Sequence, residues 1–344
     1  MRLRAWSQWV ARTSRPILVG PWHSEVGFEC LYWLPWLMRW RERYRIPPER
    51  LIALTRGGAG VWYQAGRTVE LYDYAPPEDW RVLAVARQQQ TGLLKQLAPT
   101  DWDRAIVRTV AVRLGLRRFH VLHPSVMYHD LSGWWADEMP AAELRRRVRY
   151  WREGVGEDGR TRRVWDALPV PALPLDVALP PRYVAVRWYD RPTWPLNDAV
   201  LDWVRHLVVS LSQEVPVVVL GSGGAHLDDH VDAVLPTSDH IVALPAGPVR
   251  DNLAVQSAVI ARAQGFVGTY GGLMQLAVRL GVPAAGFYLS WEQTSYAHKA
   301  LTEWLGVQRG VPVYIGTPAA AETVRQWIAQ PMAIPQAVPR SRSS

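Results

Sequence analysis

From residue 183 to residue 329 short β-branched runs alternate with amphipathic stretches, and that alternation allows little besides a parallel sheet with helices on both faces. Strands are expected at 183–188, 216–220, 241–244, 265–268, 284–287 and 311–315. Helices are expected at about 197–212, 251–263, 272–280, 296–305 and 318–329, with a short one after Gly221, Gly223 and Gly224. Ahead of this block, Pro169, Pro171, Pro174, Pro180 and Pro181 disfavour helix and interior strand alike and mark a linker. The expected division is therefore a first domain over 1–175, a second over 176–330, and a disordered Pro-, Ser- and Arg-rich tail over 331–344.

The first domain repeats the pattern less regularly. Strands are expected at 16–20, 51–55, 69–74 and 119–122, and helices at 27–44, 79–98 and 101–116. Pro35 should kink the first helix or mark a turn within it. Residues 128–152 contain further helical sequence of uncertain order. No internal repeat is visible. The fold class expected is α/β, with two Rossmann-like domains facing a cleft.

Composition narrows the function classes. One cysteine, Cys30, excludes an internal disulfide framework and a cysteine-rich zinc site. The net charge of +8 comes from arginine, since Lys95 and Lys299 are the only lysines. No nucleic-acid motif accompanies the charge, so nucleic acid is not an expected partner. No secretory signal or spanning segment is legible, which places the chain in the cytoplasm. The first fifteen residues set Leu3, Trp6, Trp9 and Val10 among Arg2, Arg4, Arg12 and Arg15. Such a segment either frays in solvent or lies peripherally on the inner membrane face. A second basic stripe follows Arg104, Arg108, Arg113 and Arg117. Tryptophan is the compositional outlier at 19 residues; with four phenylalanines some of them take over Phe's packing work, and others in Gly- and Pro-rich loops are candidates to stack on a sugar or a base.

Parallel sheets bind ligands beyond the carboxyl ends of their strands. The strongest such segment runs from Gly265 through Thr269, Tyr270, Gly271 and Gly272 to Gly281-Val-Pro283. The glycines permit close backbone approach, and the helix they open exposes unpaired N–H groups and a positive dipole end. A phosphate fits there, with the Thr269 hydroxyl as a further donor. After the first strand of this domain comes Arg187-Trp-Tyr-Asp-Arg-Pro-Thr-Trp194, where Arg187 and Arg191 can grip phosphate oxygens and Trp188, Tyr189 or Trp194 can cover a ring. A surface pair of one of these arginines with Asp190 beside structural aromatics is the plainer alternative. Gly221 and Ser222 stand in a third loop at the same edge.

The strand–Gly-Gly–helix–Gly-Val-Pro–strand segment and the element order of 182–330 resemble the GT-B class of glycosyltransferases. That resemblance implies a nucleotide-sugar donor on the 271–272 helix start, an acceptor from the first domain's side (a glycan, a lipid-linked sugar or another hydroxyl), and no metal ion or other cofactor. Asp228-Asp229-His230 is the nearest approach to a metal signature and reads as helix surface. The resemblance also turns the loop Pro21–Glu29 toward the cleft. An inverting transfer needs a general base there, for which Glu25 is the first candidate and His23 the second. Alternatively Ser24 and Glu25 cap the helix, and Glu29 only offsets its dipole. Trp22, Ser24 and Gly58 complete the acceptor side, and Glu292 is placed to meet ribose or sugar hydroxyls. A nucleotide-sugar epimerase and a non-catalytic sugar- or nucleotide-binding protein remain as alternatives. A dinucleotide-dependent oxidoreductase is disfavoured, because no Gly-x-Gly-x-x-Gly follows the first strand of either half.

Overall fold

The computed structural model describes residues 3–76, 78–80, 82–83, 86, 89, 96–131, 167–174, 177–221, 231–291 and 296–330. Two parallel sheets are present. The first contains β1 (Ile17–Val19), β2 (Leu51–Thr55), β3 (Arg67–Glu70) and β4 (His120–Leu122), in the order β3-β2-β1-β4. Leu18 of β1 registers with Ile52 on one side and Val121 on the other. The second contains β5 (Val184–Arg187), β6 (Val217–Val219), β7 (Ile241–Ala243), β8 (Gly265–Thr269), β9 (Ala284–Phe287) and β10 (Val313–Gly316), in the order β10-β9-β8-β5-β6-β7. Val186 registers with Val219 and Val267. This is the two-domain α/β arrangement expected from the sequence.

Both sheets reverse direction at their first strand. From β5 the chain winds outward through β6 and β7, then returns to β8 on the other side of β5. The connections after β5 and β8 therefore leave in opposite senses and open a crevice between them. The connection after β1 holds the same position in the first sheet, between β2 and β4.

Helices follow the apolar periodicity. In chain order α1 is Leu3–Ala11, and α2 is one continuous helix of an α segment Val26–Phe28, a π turn Glu29–Trp33 and an α segment Leu34–Arg43. The π turn explains why Pro35 does not break α2. Proline lacks an N–H and crowds the carbonyl four residues back, and the wider turn relieves both problems. Next come α3 (Asp101–Arg113), α4 (Ser125–Asp130), α5 (Asp198–Ser212), α6 (Asn252–Arg262), α7 (Gly272–Leu280), α8 (Tyr296–Arg309) and α9 (Ala321–Ala329). Thr100 and Asp103 form a capping box at the start of α3. Gly281, at φ 82°, closes α7 in the left-handed conformation.

Some expectations shift. β3 ends at Glu70, because the Glu70 carboxylate accepts the Tyr72 N–H and starts a 3-10 turn, Leu71–Asp73. The N-terminal segment does not fray: α1 buries Ser7 and Val10, and Trp6 stacks on Trp40 at 6.1 Å. Its exposed face carries Arg4, Gln8, Trp9 and Arg12. Leu168, ahead of the proline run, is buried and donates its N–H to the Arg279 carbonyl of α7. The expected tail 331–344, most of 128–152 and the Asp228–His230 run lie outside the described residues. Among the described residues no helix is long and apolar enough to cross a membrane.

The two domains share a core. Leu31 and Trp33 of α2 belong to the same buried cluster as Leu273 and Met274 of α7 and Leu301 of α8. The first turns of α2 and α7 meet so closely that a Cβ on Gly27 would lie 3.3 Å from the Gly272 Cα and 2.0 Å from Gln275 Oε1. Small residues at this one crossing let two helix starts face each other.

Candidate active site

On the second-domain side, β8 delivers the turn Tyr270–Gly271 into α7. The first backbone bond of α7 runs from the Gln275 N–H to the Gly271 carbonyl at 3.1 Å, which leaves the N–H groups of Gly272, Leu273 and Met274 outside the helical ladder. Gly271 has an extended φ of 171°, so its glycine is a matter of space. A Cβ there would stand 2.1 Å from Tyr189 Oη and 2.8 Å from Arg191 Nη1. The connection after β5 thus lays Tyr189 and the Arg191 guanidinium directly on the turn.

Not every residue of that connection faces the turn. Arg187 is buried, bonds Asp232 at 2.9 Å and lies over the Tyr189 ring. Its partner is Asp232, while Asp190 accepts the Leu196 N–H. The Thr269 hydroxyl both accepts the Tyr189 N–H and donates to the Tyr189 carbonyl, which pins the connection to β8 instead of projecting toward a ligand. Trp188 and Trp194 are buried and pack with Phe287 and Trp203, so their faces are core.

On the first-domain side, the loop after β1 is braced from beneath. Gln96 accepts the His23 N–H and donates to the Pro21 carbonyl at 2.9 Å. Glu29, wholly buried, accepts from Tyr63 at 2.6 Å, Thr55 at 3.2 Å and Arg56 at 3.1 Å. Arg56 continues to the Ser24 carbonyl. Burial raises the Glu29 carboxyl, and Arg56, Tyr63 and Thr55 only partly offset it. Glu29 therefore anchors the loop instead of serving the helix dipole.

His23 turns inward. Its Nε2 lies 2.8 Å from Asp103, whose other oxygen is 3.5 Å from His123. Burial alone would raise the Asp103 carboxyl; hydrogen bonds from His123 and His23 outweigh it and hold Asp103 well below the carboxylate range. Trp22 is fully buried in a parallel stack with Trp33 and Tyr128. Glu25 alone of this loop's acidic and basic side chains reaches the cleft. It occupies the N-cap of α2 with extended backbone angles, yet its carboxylate makes no capping bond.

The two sides meet in a cavity of about 70 Å³. Of the sequence-predicted residues it gathers Glu25, Arg191, Tyr270, Gly271 and Gly272; Trp22, His23, Ser24, Arg187, Gly221 and Thr269 do not line it. Gly221 sits across the sheet edge, with its carbonyl 3.4 Å from Asn252 Nδ2. Ser222 and Glu292 lie outside the described residues. The cavity also uses Tyr32, Thr193, Gln275 and His298, which the sequence did not single out. Gln275 was findable, since it stands one helical turn after Gly271. Tyr32 and His298 come together only through the meeting of α2 and α8.

Gly58 belongs to another contact. Gly57 and Gly58 donate their N–H groups to the two oxygens of Glu70, at 3.0 and 2.9 Å, and the Gly57 carbonyl accepts the Ala254 N–H of α6. A second cavity, about 910 Å³, lies beside β4 between α1, α3 and α4 and contains none of the predicted residues. Among its polar groups, Asp103 lies 3.5 Å from His123, and Asp130 accepts the Trp36 N–H. Among the described residues no group of three or more His, Cys, Asp or Glu side chains is placed to hold a metal ion.

No protein-family model matches this chain, and no curated protein matches it. Similar solved structures include E. coli heptosyltransferase WaaC with ADP, at 15% identity and a TM-score of 0.43, covering 91% of this chain and 98% of that one. E. coli ADP-heptose lps heptosyltransferase II is 13% identical with a TM-score of 0.46, over 91% of this chain and 98% of that one. A glycosyl transferase family 9 structure from Veillonella parvula is 10% identical with a TM-score of 0.44, over 91% and 89% respectively.

Proposed function

We propose that this chain is a glycosyltransferase that moves a sugar from a nucleotide-sugar to a hydroxyl acceptor. One observation carries the reading: a carboxylate that is not used as a cap, Glu25, shares a cavity with the α7 start at Gly271–Gly272 and with Arg191. The helix start and the guanidinium supply positive charge where a diphosphate leaving group gains negative charge. No metal is needed for that stabilisation. Glu25 is the general base that takes the proton of the acceptor hydroxyl as it attacks the anomeric carbon, so the transfer inverts configuration. His23 acts at one remove: with Asp103 and Gln96 it fixes the loop that carries Glu25.

The cavity is smaller than the roughly 300–1,000 Å³ of ordinary ligand sites. A nucleotide-sugar therefore binds when the domains part along the Gly27–Gly272 crossing, and the arrangement described here is the closed one. The test has two arms. ADP-, GDP-, UDP- and dTDP-linked sugars are screened for a thermal shift, since a bound donor stabilises the fold by mass action. Glu25→Gln is then compared with wild type. Binding should survive in the variant while turnover falls by about 10²–10⁴-fold. A screen in which no nucleotide-sugar raises the melting temperature removes the donor assignment, and undiminished turnover in Glu25→Gln removes the base.

A further inference from the structure

We infer that the cavity of about 910 Å³ beside β4 takes one acyl chain of an anionic bilayer lipid, with the lipid phosphate on Arg104 and Arg108, so that this side of the first domain rests on a membrane. The inference does not depend on the glycosyl-transfer reading. The volume lies within the roughly 300–1,000 Å³ of ordinary ligand sites. Its walls are Leu3 and Trp6 of α1, Val107 of α3, Phe119 and Val121 at β4, and Val126 of α4. Parallel sheets are normally covered on both faces. Val121 is instead 39% exposed, where it lines this cavity, while its strand neighbours His120 and Leu122 are buried.

Polarity is divided between floor and rim. At the floor, the Asp103 carboxylate accepts the Thr100 N–H at 2.7 Å and the Thr100 hydroxyl at 2.8 Å, and lies 2.8 Å from His23 Nε2. His123 Nδ1 accepts the Ser125 N–H at 3.1 Å, which puts the proton of the neutral ring on Nε2, 3.5 Å from the same carboxylate. An apolar chain entering the cavity leaves that carboxylate with its own donors. The rim is cationic, with Arg104 and Arg108 exposed on α3 and His129 exposed on α4. Arg104 shares an exposed pair with Asp101 at 2.7 Å, which contributes little and exchanges readily for a phosphate. Among the described residues Arg108 meets no carboxylate; it donates to the Arg104 carbonyl at 3.2 Å. Asp130, the acid on this rim, accepts the Trp36 N–H at 2.9 Å. The ligand is therefore an amphiphile, apolar chain inward and anionic head outward. The flanking helix favours one that sits in a bilayer. α1 exposes Arg4, Arg12 and 46% of Trp9, whose ring packs edge-on at 4.6 Å against His120, between Phe119 and Val121 in sequence. A half-exposed tryptophan among arginines is a composition that settles at headgroup level. The basic stripe of α3 divides accordingly: Arg104 and Arg108 line the cavity, whereas Arg113 lies over the Tyr74 ring at 4.4 Å.

Sedimentation of the full chain with vesicles is the first measurement. Phosphatidylglycerol mixed with phosphatidylcholine should carry the protein down at low salt and much less at high salt, and phosphatidylcholine alone should carry little. Each arginine at an anionic surface is worth about fivefold in affinity, so Arg104→Gln combined with Arg108→Gln should weaken binding about 25-fold. Both side chains are exposed, so the melting temperature should not change. A phosphatidylglycerol with a diazirine in one acyl chain then reports where the chain lies. Photolabelled peptides should contain Val107 or the 119–126 segment. Val121→Glu, which sets a carboxylate in the path of the chain, should lower that labelling at least about tenfold. Vesicle binding with labels confined to α1 or scattered over the surface would mean adsorption without an occupied cavity, and overturns the inference. Equal binding to both vesicle compositions, no binding, or full labelling of Val121→Glu overturns it as well. Should Val121→Glu fail to fold, the wild-type label map and the arginine pair decide the matter.

Discussion

Gly57–Gly58 and Gly271–Gly272 are both glycine turns at the carboxyl end of a parallel strand, β2 in one domain and β8 in the other. Both offer backbone N–H groups to an anion. In the first turn the chain supplies the anion itself, since Glu70 reaches from the end of β3 and takes both N–H groups. The turn's outer side is then pressed on α6, where a Cβ on Gly58 would stand 2.7 Å from Ala254 Cβ. In the second turn the Arg191 cation stands close, and Glu25 stands across a cavity. The glycines also differ in what they are for. Gly57 and Gly58 have φ of 65° and 77°, which L side chains rarely adopt, whereas Gly271 is extended and needs only room. Among the described residues no carboxylate fills the second turn and a cation stands beside it, which is the difference that the proposed donor site rests on.

The sharpest way to break this comparison is to add one methyl to each turn. Gly271→Ala places a Cβ against Tyr189 and Arg191 inside the cavity, and should cut diphosphate affinity by about 100-fold with little loss of melting temperature. Gly58→Ala should do the reverse. Its strained backbone costs about 1–3 kcal/mol of stability, and the contact with α6 loosens, while diphosphate affinity stays near wild type. Calorimetric titration and thermal denaturation of both variants check this together. Exchanged outcomes would mean that the ligand sits at the wrong turn in our reading.

Next in size are the two arginines after β5. Arg191→Ala should weaken diphosphate binding by about 10–100-fold, with Arg191→Lys in between, because a guanidinium grips two oxygens where an ammonium offers a point charge. Arg187→Ala should instead lower stability by about 1–3 kcal/mol, since its ion pair with Asp232 is lost. Its effect on affinity should be small. Equal affinity losses at both positions would put Arg187 back among the ligand contacts.

These contrasts show how far the sequence could lead. Strand–helix alternation specified the parallel sheets, and the rule that ligands bind at carboxyl strand ends pointed to connections that line the shared cavity. Gly271, Gly272, Arg191, Tyr270 and Glu25 follow from those two steps. Direction within a connection did not. Arg187 and Arg191 are both arginines after one strand, and it is Asp232, 45 positions further along, that holds the first one away from the turn. His23 and Glu25 share one loop, and the partner that turns His23 inward is Asp103, whose place depends on the capping box of α3. Thr269 read as a donor because its bond to Tyr189 crosses between strands. Tyr32 and His298 stand 266 positions apart, and no local pattern relates them. Partners remote in sequence decided each of these cases.

The smallest effect probes whether Glu70 truly plays the anion's part. Burial raises its carboxyl above the ordinary glutamate value, and the N–H groups of Gly58, Tyr72 and Gly57 only partly offset that. A raised folded pKa means that the folded state binds the proton more tightly than the unfolded chain does. The group's contribution to stability is therefore whole below about pH 4.3, the free glutamate value, and is lost as pH rises through the folded value. Glu70→Gln cannot titrate and lacks this slope. The melting temperature of wild type minus that of the variant should thus shrink as pH is raised from 4 toward neutrality. A difference that widens instead would mean that the N–H groups favour the anion more than burial penalises it. The Gly57–Gly58 turn would then be an anion site in its own right, differing from Gly271–Gly272 only in being filled from within the chain.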